Sequence, residues 1–265
     1  MQRRIAVISA AASGIGLAIA ETLCGDGWLV YAGDQDAAAI EALGHDRDGL
    51  AARVCDVSDA ASVERFYAWV ESDLRARNAA GINLLVNNAG IAGPTARLED
   101  QPIEAWNTTI DVNLNGSFLM TRHAIPLLRR RAPGSAIITM SSTAGLFGCP
   151  LRGPYVATKW ALIGLTKTLA MELGPEGIRA NAICPGSVEG PRIDRVIAAD
   201  AAERGLTVAH VEREYKRQTS LRTFATKEDV TAMVQYLMSP AGARISGQAI
   251  AIDGHTESLS LDMEA

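Results

Sequence analysis

Residues 5–16 read IAVISAAASGIG, and the order of residue types in that stretch decides the fold. Ile5 to Ser9 is a short apolar, β-rich run of the kind that forms a buried strand. Gly14 to Cys24 carries a helical pattern. Between them lie only small residues, so the backbone can approach a ligand closely. A helix that begins directly after such a turn presents free N–H groups and the positive end of its dipole, an arrangement suited to a pyrophosphate.

Working outward, the same alternation recurs. Trp28–Gly33 reads as a second strand and Ala51–Cys55 as a third. A helix follows from about Asp59 to Arg77, then a strand over Ile82–Asn87. Pro102 suits a helix start, where no N–H is needed. Ala136–Ser141 reads as a strand, Tyr155–Leu173 as a long helix stopped by Gly174-Pro175, and Ile178–Ile183 and Ala249–Ile252 as the last strands. Alternating strands and helices imply βαβ units and a mostly parallel α/β sheet. The segment from Pro185 to about Thr226 is irregular and breaks the rhythm; it is polar, helical in places (HVEREYKRQ), and reads as an insertion over the sheet edge. The tail after Asp253 reads as irregular.

Composition narrows the function classes. Of 265 residues, 48% are hydrophobic and 21% charged, which suits a globular chain with its own core. The net charge of −5 argues against an extended nucleic-acid surface. Cys24, Cys55, Cys149 and Cys184 are scattered, and His45, His123, His210 and His255 are far apart. A metal centre or disulfide framework is not expected, and isolated thiols suit a cytoplasmic location. No stretch is long enough to span a bilayer.

The second strand ends in Gly33-Asp34. An acid at that place can accept hydrogen bonds from the adenosine ribose hydroxyls and repel a 2′-phosphate. Neither Ser13 nor Gln35 supplies a cation for such a phosphate, so NAD is expected over NADP. Asp34 could instead cap the helix DQDAAAIEAL, a task open to Asp36 as well.

Tyr155 and Lys159 stand four residues apart on a helix and therefore share a face. A phenol has a pKa of about 10 and is a poor base at neutral pH. A neighbouring ammonium favours the phenolate, which makes Tyr155 a candidate acid or base for a substrate hydroxyl. Ser142, at the end of the fifth strand, could hydrogen-bond the same oxygen. The pair alone is also what an ordinary amphipathic helix surface would show.

The combination of segments resembles the short-chain dehydrogenase/reductase family from about Ile5 to Gly254. In family order stand SAAASGIG, GD at 33–34, CDV at 55–57, NNAG at 87–90, DVNLNG at 111–116, MSS at 140–142, YVATK at 155–159 and NAICPG at 181–186. The resemblance implies one Rossmann-like, doubly wound domain with a seven-stranded parallel sheet, assembled as a homotetramer or homodimer. It implies an enzyme that passes hydride between NAD and a secondary alcohol or its ketone. Asn113, Ser142, Tyr155 and Lys159 would be catalytic: Asn113 holding a water that relays protons to Lys159, Ser142 polarising the substrate oxygen, Tyr155 moving the proton, and Lys159 binding the nicotinamide ribose. Ser9, Ser13, Gly14, Ile15 and Gly16 would form the phosphate turn, with Asp34 and Gln35 beside the ribose. Asp56 and Val57 would contact adenine, and Asn88, Ala89 and Gly90 would shape the central groove. Pro185, Gly186 and Val188 would border the nicotinamide.

Two positions depart from the family. Ala10 stands where glycine is usual, so it must hold φ below zero or accept strain. Gly190 stands where the family often has threonine, with Ser187 as the substitute. Residues 187–225 would form a substrate lid. Arg152, Arg192 and Arg195 are candidates to bind a carboxylate or sulfonate on an anionic substrate, above an apolar wall of Leu146, Phe147 and Cys149. Arg129, Arg130 and Arg131 read as a solvated helix end. Trp28, Trp69, Trp106 and Trp160 read as core or interface anchors, with Trp160 at a subunit contact. Two other functions share these residues: an enoyl reductase or epimerase, and a dinucleotide-sensing or scaffold protein without turnover.

Overall fold

The computed structural model describes residues 3–44 and 49–256; His45 and the chain beyond Thr256 lie outside them. Strands β1 (Ile5–Ser9), β2 (Leu29–Asp34), β3 (Leu50–Val54), β4 (Leu84–Asn87), β5 (Ala136–Met140), β6 (Arg179–Pro185) and β7 (Ala249–Ile252) form one sheet. Their order is β3-β2-β1-β4-β5-β6-β7, and every pairing is parallel. The doubly wound expectation is met.

A parallel sheet covered on both faces needs apolar residues at successive positions, not alternate ones. Strands β1, β2, β4 and β5 are buried throughout. Val7, Tyr31, Leu85 and Ile137 pack on one face with residues of α3 (Ala60–Ala76), α5 (Gly116–Arg129) and α6 (Gly153–Leu173). Ile8, Val30, Val86 and Ile138 pack on the other with α1 (Gly14–Gly25), α2 (Ala37–Leu43) and α9 (Lys227–Met238). Helix α9, which the periodicity reading passed over, starts with a reciprocal capping box between Thr226 and Asp229.

The order reverses between β1 and β4, which lie side by side although two strands separate them in the chain. At such a point the loops leave in opposite directions and open a crevice beyond the carboxyl ends of the strands. The phosphate turn, the NNAG segment and the end of β5 all lie at that edge.

The helix α4 (Ile103–Ile110) runs into a single wide turn, Asp111–Asn115, before α5 begins. A π-turn of this kind carries one extra residue per turn and re-aims the side chains on it, a feature frequent at functional sites. Asn113 sits there.

The segment after β6, read as irregular but helical in places, is helical at HVEREYKRQ as expected and more ordered than expected elsewhere. It folds as α7 (Pro191–Arg204) and α8 (Val208–Arg217), joined through a small apolar cluster of Ile193, Ile197, Ala201, Val211 and Phe224. A parallel bridge between Val188 and Ala225 closes its base.

Candidate active site

The turn after β1 is tied down by its neighbours. Ser9 Oγ accepts hydrogen bonds from the backbone N–H of Asn88 and of Ala89, both at 3.0 Å. The Asn88 amide donates to the carbonyls of Ser9 and Ala10 at 3.1 and 3.0 Å. Ala10 takes the strained option, with φ at 50° in the left-handed region. Gly16 has no room for a side chain: a Cβ there would lie 2.1 Å from the Ala10 carbonyl oxygen. Ser13, the N-cap of α1, makes no side-chain capping bond. The turn is therefore a close, glycine-dependent cradle below an uncapped helix N-terminus, which fits a diphosphate.

Asp34 ends β2 almost buried, and its two oxygens accept from the backbone N–H of Ala12 at 3.0 Å and of Asp36 at 3.1 Å. The cap of α2 is Asp36, which accepts from Ala39 N–H. Asp34 is thus free of the capping role and lies against the phosphate turn, while Gln35 is exposed. Asp56 accepts from the Ser58 N–H and hydroxyl, and Val57 packs in the core beside Gly116.

The catalytic candidates converge between the π-turn, the end of β5 and the first turns of α6. Asn113 is fully buried. Its amide oxygen accepts from Ile91 N–H at 2.8 Å, and its amide nitrogen donates to Ile91 O and to Thr158 Oγ1, each at 3.1 Å. Thr158 Oγ1 in turn donates to the Tyr155 carbonyl at 2.8 Å. Lys159 Nζ donates to Met140 O at 2.7 Å and lies 5.5 Å from the centre of the Tyr155 ring. Ser141 Oγ donates to the Lys159 carbonyl at 2.9 Å, which fixes β5 to α6. Gly90 stands against both Asn113 and Lys159: a Cβ there would lie 3.3 Å from the Asn113 side-chain oxygen and 3.4 Å from Lys159 Nζ.

Burial pushes the Tyr155 phenol upward. The Lys159 ammonium, the Arg192 guanidinium, a hydrogen bond with Ser142 and the Arg152 guanidinium together outweigh it and hold the phenol below the ordinary tyrosine value. Burial also drives Lys159 below the ordinary lysine value, and the charge of Arg192 adds to that, although Tyr155 opposes it. Both groups are shifted toward neutral pH, as an acid–base pair requires.

Pro185, Gly186 and Val188 leave the end of β6 at the same edge, with Gly186 tight against Asp253. Gly190 is the N-cap of α7 at φ 133°, a conformation threonine would strain to adopt, and Ser187 accepts from Ala225 N–H through its backbone only.

Arg152 corrects its expected role. It is 5% exposed and its guanidinium pairs with Asp200 of α7 at 3.1 Å, so it is not open to a substrate anion. Tyr215 of α8 donates to the other Asp200 oxygen. Asp200, Tyr215, Thr158 and Ser141 had no signal in the spacing, because each acts through a partner distant in sequence or through a backbone atom. Arg192 lies with its guanidinium carbon 6.0 Å from the Tyr155 ring centre. Leu146, Phe147 and Cys149 are partly buried around the 146–152 loop, and burial raises the Cys149 thiol to about 11.

The family described as enoyl-(acyl carrier protein) reductase matches residues 10–255. A ketoacyl reductase assigned to the monensin polyketide synthase of Streptomyces virginiae is 39% identical, over 95% of this chain and 96% of its own length. D-beta-hydroxybutyrate dehydrogenase of Cupriavidus necator is 35% identical over 95% and 96%. Among solved structures, a variant of the actinorhodin polyketide ketoreductase with NADPH has a TM-score of 0.86 at 28% identity, covering 95% of this chain and 96% of that one. The 3-ketoacyl-(acyl-carrier-protein) reductase of Brucella melitensis with NADH has a TM-score of 0.80 at 28% identity, over 95% and 97%. With the ordered motifs, the parallel sheet and these relatives in agreement, the chain belongs to the short-chain dehydrogenase/reductase family.

Proposed function

We propose that this chain is an oxidoreductase that interconverts a secondary alcohol and a ketone with NAD(H). The observation that carries the reading is the placement of two cations at the Tyr155 ring, Lys159 Nζ at 5.5 Å and the Arg192 guanidinium carbon at 6.0 Å from its centre, which favours the phenolate. A nicotinamide dinucleotide would supply or accept the hydride. Ser9, Ser13, Gly14, Ile15 and Gly16 would hold its phosphates, and Asp34 and Gln35 its adenosine ribose. Asp56 and Val57 would flank the adenine, and Asn88, Ala89 and Gly90 the central groove. Pro185, Gly186 and Val188 would border the nicotinamide, with Tyr155 and Lys159 at its ribose.

In this reading Ser142 orients the substrate oxygen and Tyr155 takes its proton in oxidation or returns it in reduction. Lys159 stabilises the phenolate, and the Asn113 side chain beside it is committed to Ile91 and Thr158. Asn113 thereby braces the π-turn against α6. The pairing of Ser142 with Tyr155 serves an oxygen, which favours carbonyl chemistry over reduction of a carbon–carbon double bond.

The relatives with NADPH and with NADH show that the family neighbourhood admits either dinucleotide. Asp34 supports NAD here, because its carboxylate at the end of β2 would repel a ribose phosphate. Residues 187–225 serve as the substrate lid. Exposed Ile103, Phe118 and Trp160, on α4, α5 and α6, support self-association into a dimer or tetramer. No helix among the described residues is long and apolar enough to cross a membrane.

The test is a turnover panel of secondary alcohols and ketones with NAD and NADP, run on the native chain and on Tyr155→Phe. The variant should bind NADH and lose turnover by at least a thousandfold. Turnover kept within tenfold would remove Tyr155 from the chemistry.

A further inference from the structure

Helix α8 and the turn after it border an open cavity of about 480 Å³ lined by Arg213, Lys216, Arg217 and Arg222. The chain as a whole carries a charge of −5, so four cations around one cavity run against the average. Lys216 has a carboxylate neighbour, Glu212 at 2.8 Å. Among the described residues Arg213, Arg217 and Arg222 have no ion-pair partner.

The helix dipole accounts for part of this. Lys216 and Arg217 stand in the last turn of α8, where cations are favoured. It does not account for Arg213, one turn earlier, or for Arg222, which comes from outside the helix. Arg222 holds a left-handed backbone at φ 57°, and its guanidinium donates to the Arg217 carbonyl. Lys216 Nζ is held 5.0 Å from the centre of the Phe224 ring. The cations are thus positioned from two segments and converge. Converging like charges repel, and an anion between them turns that cost into attraction. Guanidinium forks match the paired oxygens of a phosphate, and this many cations suits a group of more than one negative charge.

We propose that the cavity on α8 is a binding site for the phosphate group of a small organic phosphate. The site lies on the lid and is joined to the catalytic wall. Tyr215, next to Lys216 on α8, donates to Asp200, and Asp200 pairs with Arg152, three residues before Tyr155. A ligand seated on α8 would therefore steady the helix that braces Arg152. The proposal concerns binding and stands apart from the redox reading.

Calorimetric titration of the full chain with pyrophosphate at low ionic strength tests it. One saturable site is expected, weakened at least tenfold in R213Q/R217Q/R222Q and measurably in R217Q or R222Q alone, should the triple variant fold poorly. R129Q, far from α8, should leave the affinity unchanged. Inhibition of turnover then separates the sources of the phosphate: competition with the alcohol assigns it to the substrate, and its absence to a separate effector. The proposal is overturned if pyrophosphate shows no saturable binding or binds the triple variant equally.

Discussion

Ala10→Gly should make the protein more stable. Ala10 holds φ at 50°, and its carbonyl is fixed there by Asn88 and by the close approach of Gly16. An L-residue in this left-handed region costs about 1–2 kcal/mol. Glycine removes that cost but gives the unfolded chain more freedom, about 0.4–1 kcal/mol against the substitution. The net gain is about 0.5–1 kcal/mol. At about 2–4 °C per kcal/mol for a chain of this size, the melting temperature should rise by about 1–4 °C. Scanning calorimetry without cofactor measures it, with Ala12→Gly as the control. Ala12 is buried in the same turn and has no positive φ, so glycine there only loses contacts and order, about 1 kcal/mol or more. If both variants lower the melting temperature alike, strain at Ala10 is not the reason.

Gly16→Ala should abolish dinucleotide binding, because its Cβ would meet the Ala10 carbonyl at 2.1 Å; fluorescence titration with NADH reads the loss, and affinity kept within threefold would contradict the cradle. Asp34→Asn should keep the contact to Ala12 while removing the charge, so the preference for NAD over NADP in kcat/KM should fall at least tenfold; an unchanged ratio would leave Asp34 out of cofactor choice. With deprotonated Tyr155 as the proposed base, alcohol oxidation should fall as pH drops through its depressed pKa, and ketone reduction should fall as pH rises through it. Lys159→Met removes the foremost charge holding that pKa down, so the oxidation profile should move to higher pH; a profile that stays in place would assign the titration to another group. Asp200→Ala leaves the Arg152 charge buried without its partner, a change that costs about 3–5 kcal/mol, and hydrogen exchange should report early opening of α7 and α8.

The strands were readable because a parallel sheet buries both faces, and runs such as IAVIS and LLVN leave no other use for so many apolar residues. The tight turn after β1 was readable because small residues and glycines have a steric reason to be there, made visible by the space that Gly16 lacks. The lid was not. Its helices carry few apolar residues, and their order comes from a small cluster and from ion pairs such as Arg204 with Glu214. The family resemblance pointed to Asn113 but did not foresee the π-turn, since a wide turn differs from an α-turn by one residue and leaves no mark in the pattern.

Arg152 shows how a charge is misread from sequence and what its true setting implies. Position put it beside Ser142 and Tyr155, and type made it an anion binder. Its partner, Asp200, lies 48 residues further on, in a helix whose pairing no local pattern reveals. Because both groups are nearly fully buried, a substrate carboxylate could reach Arg152 only by displacing Asp200 and stranding that charge. Arg192, exposed and 6.0 Å from the Tyr155 ring, meets no such barrier. Any anionic end of a substrate should therefore be read by Arg192, and Arg152 should act on Tyr155 only through its charge and through the lid it ties down.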